Sequence, residues 1–201
     1  MKTKTEAKRL GILKAAAEVF REMGFERATM SEIRARIGGS KATLYNYFPS
    51  KEKLFFEVMY QAKELELDAI IGALNPDADD LRQELVHFGQ KLLPVMYSPE
   101  GIAIRRLAIA ESANSEIGKI CFERATAPME KQVAEFLKKG MKRGILRAGD
   151  PKTAAIHLLS LLESELLQRV LLGVMDSVKP DAFSGAVRRA VEVFLSGYAR
   201  R

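Results

Sequence analysis

The sequence predicts an all-α protein of about nine helices. No stretch alternates apolar and polar residues as a half-buried strand must. Nearly every long segment instead repeats apolar residues at helical spacing. The segments are also punctuated by helix-start signals, a capping residue followed at once by proline or three residues later by glutamate. The 201 residues are 47% hydrophobic, enough for one large domain or two small ones with proper cores.

Taken in order, Leu10, Leu13, Ala17 and Phe20 form one stripe, and that helix ends at Gly24. Thr29-Met-Ser-Glu32 is a capping box, in which Thr29 and Glu32 satisfy free amides at the start of a short helix. Gly38-Gly39 ends it, Ser40 caps the next short helix, and Ser50 caps a longer one running to about Ala73. Asn75-Pro76, Ser98-Pro99 and Asp150-Pro151 each place a cap before a proline at the first helical position. Pro180-Asp181 opens the last helix less cleanly. The expectation is three helices within residues 4–47, the Ser50 helix, and five more. Residues 151–173 are apolar nearly all round, as in a helix buried on several sides. Phe183, Ala186, Val187, Ala190, Val191 and Phe194 give the final helix a single apolar stripe. There is no internal repeat and no flexible linker, so a division into residues 1–49 and 50–201 falls at a shared helix.

Charge is unevenly placed. Residues 1–63 hold 13 Lys/Arg against 7 Asp/Glu, whereas residues 64–201 hold 19 of each. The whole excess of +6 therefore sits at the N-terminal end, which points to nucleic acid or an anionic membrane surface, or else to a solvated basic face. The opening twenty residues contain no unbroken apolar core, which argues against a cleavable signal peptide. The most apolar segment, 154–175, is interrupted by Glu163, Glu165, Gln168 and Arg169, which argues against a membrane span. A single cysteine, Cys121, allows no internal disulfide and fits the cytoplasm.

Helix, glycine turn, short helix is the grammar of a helix-turn-helix, with residues 29–37 and 40–47 as its two members. Gly38 falls where the turn wants a positive φ. Leu44 and Phe48 stand four apart and can pack inward, leaving Lys41, Ala42, Thr43, Tyr45, Asn46 and Tyr47 around the outward side. Tyr45 and Tyr47 lie two apart and cannot share one narrow buried stripe. A cation, a small residue, hydroxyls for phosphates and an amide able to read adenine suit DNA. Amphipathic packing of the tyrosines is the plainer alternative.

Within Leu10 to Phe55 the stretch "ILKAAAEVFREMGFERATMSEIRARIGGSKATLYNYFPSKEKLF" resembles the TetR family of bacterial transcriptional regulators. A leading helix ending in glycine, a threonine opening the second helix, the turn and serine, Thr-Leu-Tyr, an aromatic pair and Ser-Lys-Glu follow in the family's order. The segments "IRRLAIAESANSEIGKICFERATAPMEKQ" and "GILRAGDPKTAA" look like the ligand-domain type named after AefR. The resemblance implies phosphate contacts from Thr29 and Lys51 at two helix starts, with Ser40 at the head of the second helix. Thr43, Tyr45 and Tyr47 would grip the backbone, while Lys41, Ala42 and Asn46 face base edges. Lys2, Lys4, Lys8 and Arg9 form a basic arm suited to further contacts. Two positions depart from the pattern. Gly39 stands where an apolar residue usually packs, and Arg34 where a small alanine usually lets the helices touch.

For the second half the resemblance implies a small-molecule effector and a homodimer through helices 151–173 and 181–198. Two identical heads about 34–36 Å apart match a palindromic double-stranded DNA operator. Phe88, Leu92 and Met96 share one helix face, and Phe122, Met129 and Phe136 recur at sevenfold spacing. These six, with His157, are the candidate pocket, and plain core packing is the competing account. His157, Glu163 and Glu165 are polar groups in an apolar helix and need partners in a ligand, the other subunit or water. No metal-ligand spacing, phosphate loop or nucleophile motif occurs, so no catalysis, metal or cofactor is expected. The reading is a repressor released from its operator by a small molecule, with the Ser50 helix as lever. An all-helical small-molecule carrier or enzyme with an incidental basic end is the alternative.

Overall fold

The computed structural model describes residues 4–113, 115–175 and 177–200, leaving aside the side chains of Lys4 and Ala62. Lys2 of the expected basic arm, and the side chain of Lys4, lie outside the described residues. The helices are α1 (Lys4–Arg27), α2 (Met30–Ile37), α3 (Lys41–Tyr47), α4 (Lys51–Gly72), α5 (Leu81–Met96), α6 (Pro99–Ala110), α7 (Ile117–Cys121), α8 (Ala127–Lys142), α9 (Pro151–Glu163), α10 (Leu167–Leu171) and α11 (Pro180–Tyr198). One π turn, Phe122–Thr126, joins α7 to α8. No strand occurs among the described residues, only an isolated antiparallel bridge between Leu146 and Ala199. Among the described residues no helix is long and apolar enough to cross a membrane.

The local start signals act as side-chain caps at Thr29, Ser40, Ser50, Ser98 and Asp150. Gly24 (φ 74°) breaks the regular course of α1 one turn before its end. Three expectations need correction. Asn75-Pro76 does not begin a helix. The Asn75 side chain accepts from the Asp77 amide at 3.0 Å, closing a local turn, and Asp80 caps α5 instead. The helix read over 151–173 is two, because the Ser164 hydroxyl donates to the Leu161 carbonyl and the Leu166 amide to Glu163. The stretch between α6 and α8 holds α7 and the π turn, which the apolar pattern did not separate.

Two apolar clusters organise the molecule. The first, the head core, joins Ile12, Ala16 and Val19 of α1 to Ile33, Leu44, Phe48 and residues 54–56, and reaches Leu107 and Ile117. Phe55 meets Phe20 and Phe25 edge-on, with ring centroids 5.0 and 4.9 Å apart. The second, the body core, interleaves α5, α8, α9 and α11 through residues such as Leu92, Val133, Leu158, Val187 and Phe194. Helix α4 runs from one cluster to the other, carrying Leu54 in the first and Ile71 in the second.

Candidate nucleic-acid interface and internal cavity

The capping box is complete: the Thr29 side chain accepts from the Glu32 amide (3.2 Å), and the Glu32 carboxylate accepts from the Thr29 amide (2.8 Å). Gly38 takes φ 72° in the turn and its N–H closes onto the Arg34 carbonyl. Arg36 forks onto Glu22 at 2.8 and 2.7 Å, fastening α2 to α1. Ser40 then caps α3, accepting from the Thr43 amide at 3.1 Å, with the two hydroxyls 2.9 Å apart. Leu44 and Phe48 are buried. Lys41, Ala42 and Asn46 are exposed, Thr43 is half-buried, and Tyr45 is 39% exposed. The Lys41 ammonium lies 5.7 Å from the Tyr45 ring centre, a cation–π contact at the surface.

Two side chains behave differently from their outward-facing neighbours. Tyr47 is half-buried and packs against the head core. The Lys51 ammonium turns back to the end of α1, donating to the Phe25 carbonyl at 2.9 Å and lying 4.2 Å from the Phe25 ring centre. A cation there satisfies the carbonyls that a helix end leaves free. Arg34 is exposed, with its head in solvent. At Gly39, φ is not positive, and a Cβ would meet only the Ile37 side chain, at 4.0 Å.

Between α4, α6, the π turn and α8–α10 lies a cavity of about 1210 Å³. Met96, Phe122 and Met129 line it. Phe88 and Leu92 do not, being buried in the body core. Phe136 borders a separate surface groove beside Ile71 and Leu74. His157 is exposed, its Nδ1 2.6 Å from the Tyr198 hydroxyl. The expected pocket set is therefore split, because a shared helix face does not say which neighbour that face meets. The larger part of the wall comes from residues that pattern reading passed over. Phe56, Tyr60, Lys63 and Leu67 form one face of α4, and Gly101, Ile104, Arg105 and Ala108 one face of α6. Both sets recur at intervals of three and four, the one signal that could have found them.

The cationic groups in this wall are already engaged. Arg105 pairs with Glu163, Arg106 donates to the Val170 carbonyl at 2.7 Å, and Lys63 stands 3.6 Å from Glu66. Beside the Arg105–Glu163 pair, the buried Tyr97 hydroxyl makes no hydrogen bond among the described residues, and burial drives its ionisation well above the ordinary tyrosine range. Burial likewise pushes the Cys121 thiol up to about 11, which keeps it protonated and unreactive. Glu165, the other acid of the apolar segment, is bound by Arg189 at 2.9 and 2.6 Å. Among the described residues no cluster of His, Cys, Asp and Glu could hold a metal ion.

Residues 12–58 match the family model described as bacterial regulatory proteins, tetR family, and residues 83–200 match that of the AefR-like transcriptional repressor, C-terminal domain. The HTH-type regulator YhgD of Bacillus subtilis is 24% identical over 75% of this chain and 78% of its own length. UidR of Escherichia coli is 40% identical over 33% of this chain and 34% of its own. Among solved structures, a protein described as a TetR-family transcriptional regulator from Mesorhizobium loti superposes with a TM-score of 0.83 at 27% identity, covering 98% of this chain and all of that one. The flavonoid-responsive regulator FrrA gives a TM-score of 0.72 at 27% identity, covering 97% and 98%.

Proposed function

The chain belongs to the TetR family of bacterial transcriptional regulators, and on that premise we propose a dimeric repressor that a small molecule releases from a palindromic operator. Residues 1–49 read DNA, and residues 50–201 bind the effector and dimerise. The observation that carries the reading is the outer face of α3, where Lys41, Ala42, Tyr45 and Asn46 stand clear of the core held by Leu44 and Phe48. Lys41, Ala42 and Asn46 meet base edges, while Thr43, Tyr45 and Tyr47 grip the backbone with Thr29, Ser40 and Lys51. In the bound state Lys51 exchanges a carbonyl at the end of α1 for a phosphate.

Dimerisation uses α9–α10 and α11, supported by Val193 of α11, a large apolar side chain that a lone subunit leaves in water. The effector enters the cavity. FrrA responds to flavonoids, and a wall holding Phe56, Tyr60 and Phe122 suits a planar aromatic guest of that kind. Binding favours a spacing of the two heads that no longer fits the operator.

A gel shift with DNA from the protein's own promoter region tests this. Specific binding that falls steeply with salt is expected, and absence of specific binding at low salt overturns it in favour of a carrier. Tyr45→Ala weakens DNA binding about tenfold, roughly 1.4 kcal/mol, and leaves the melting temperature unchanged. A matching loss of fold stability would place Tyr45 in the core.

A further inference from the structure

Glu57 is the one charged side chain found buried among the described residues, at 6% exposure on α4. A carboxylate taken from water needs excellent pairing to persist, and two guanidiniums supply it from opposite sides. Arg9 of α1 binds one oxygen and Arg124 of the π turn the other. Arg9 also lies 5.6 Å from the ring centre of Phe48, the residue that closes α3. Arg124 lies 5.6 and 5.2 Å from the ring centres of Phe56 and Tyr60, both in the cavity wall, with Glu64 a further 3.8 Å neighbour. One carboxylate thus joins the end of the recognition helix to the wall of the cavity.

The segment carrying Arg124 has an unusual backbone for a definite reason. Pro128 has no N–H to give the Arg124 carbonyl four residues back, and its ring crowds that carbonyl. The chain responds with a π turn, in which the Ala127 amide bonds to Phe122, five residues back. The freed Arg124 carbonyl is taken by the Tyr60 hydroxyl at 2.7 Å. Cys121, Phe122, Ala125 and Thr126, in and beside the turn, line the cavity. A guest that displaces Phe122, or claims the Tyr60 hydroxyl, acts directly on the segment that holds Arg124 to Glu57.

We propose that Arg9, Glu57 and Arg124 form the coupling element between cavity and reading head, with Arg124 the positioning residue on the cavity side. Its use in releasing DNA rests on the regulator reading above. The mechanical link itself is testable without effector or operator, by hydrogen exchange on the intact chain. Arg124→Met is expected to speed exchange of the α3 amides and Phe48 at least fivefold, a typical coupling between distant sites. By reciprocity Arg9→Met speeds exchange in residues 121–127. Arg124→Lys, which keeps the charge, restores part of the protection. Changes confined to residues 117–130 for Arg124→Met, and to α1–α3 for Arg9→Met, overturn the proposal.

Should Arg124→Met lower the melting point too far, Tyr60→Phe gives a second reading that leaves both ion pairs intact. It frees the Arg124 carbonyl, and a smaller rise in α3 exchange is expected; a rise only in the π turn counts against the link. Coupled exchange without specific DNA binding leaves the link standing and removes the regulator reading. Specific DNA binding with uncoupled exchange does the reverse.

Discussion

On α3, Lys41 and Asn46 are exposed, with Lys41 resting on the Tyr45 ring at the surface, whereas Lys63, Arg105 and Arg106 in the cavity wall are each bound to a neighbour in the chain. The two regions therefore offer partners different things. The outer face of α3 presents polar groups that already stand in water, which favours a charged, hydrated surface such as DNA. The cationic groups of the cavity are engaged within the chain, and breaking the part-buried Arg105–Glu163 pair leaves an unpaired ion in the wall. A guest there gains mainly by covering the apolar wall, at about 25 cal/mol per Å².

The head depends on its own small core. Phe48→Ala should cost about 3–5 kcal/mol and abolish DNA binding with it. A denaturant melt that leaves the midpoint unchanged would detach α3 from that core. Gly101→Ala comes next, in the cavity wall. A Cβ there would stand 2.4 Å from the Met96 carbonyl oxygen, which only a backbone shift can relieve, at about 1–3 kcal/mol. A melting temperature equal to that of the parent would show that the α5–α6 junction yields freely.

Lys51→Ala has a smaller effect, because this side chain is a half-buried cation of the head that is bound within the chain. Its bond to the Phe25 carbonyl means that replacement costs about 1 kcal/mol of stability, besides any loss of DNA affinity. An unaltered melt would mean that the ammonium spends its time in solvent. The smallest effect has the opposite sign. Gly39 has ordinary φ and open space, so Gly39→Val should stabilise by about 0.5–1 kcal/mol through reduced unfolded-state entropy. A lowered melting point would show crowding against Ile37.

What was legible in the sequence is what is decided locally. Thr29, Ser40, Ser50, Ser98 and Asp150 each cap within three residues of themselves, and Gly38 answers to its own φ. Pairings across long separations were not legible. Lys51 reaches back to Phe25, Arg105 forward to Glu163, and Tyr60 completes a backbone broken by Pro128. The sequence showed that Glu163 and Glu165 needed partners, but spacing alone could not choose Arg105 for one and Arg189 for the other. Phe88, Leu92 and Met96 illustrate the same limit on one helix. They share a face, yet only Met96, near the end of α5, extends past the body core to the cavity.

The π turn also carries a lesson in phase. Sevenfold spacing keeps two residues on one face of an uninterrupted α-helix, and Met129 and Phe136 are both buried. Phe122 lies on the far side of five residues wound more loosely, so it falls roughly a quarter turn behind and emerges at the cavity, 53% exposed. Rewound as ordinary α-helix, the same seven steps would bring the two back into step and swing the Phe122 ring toward the interior. Winding at this one place thus sets the shape of the wall, and it is fixed by Pro128, a residue whose own side chain lines none of it.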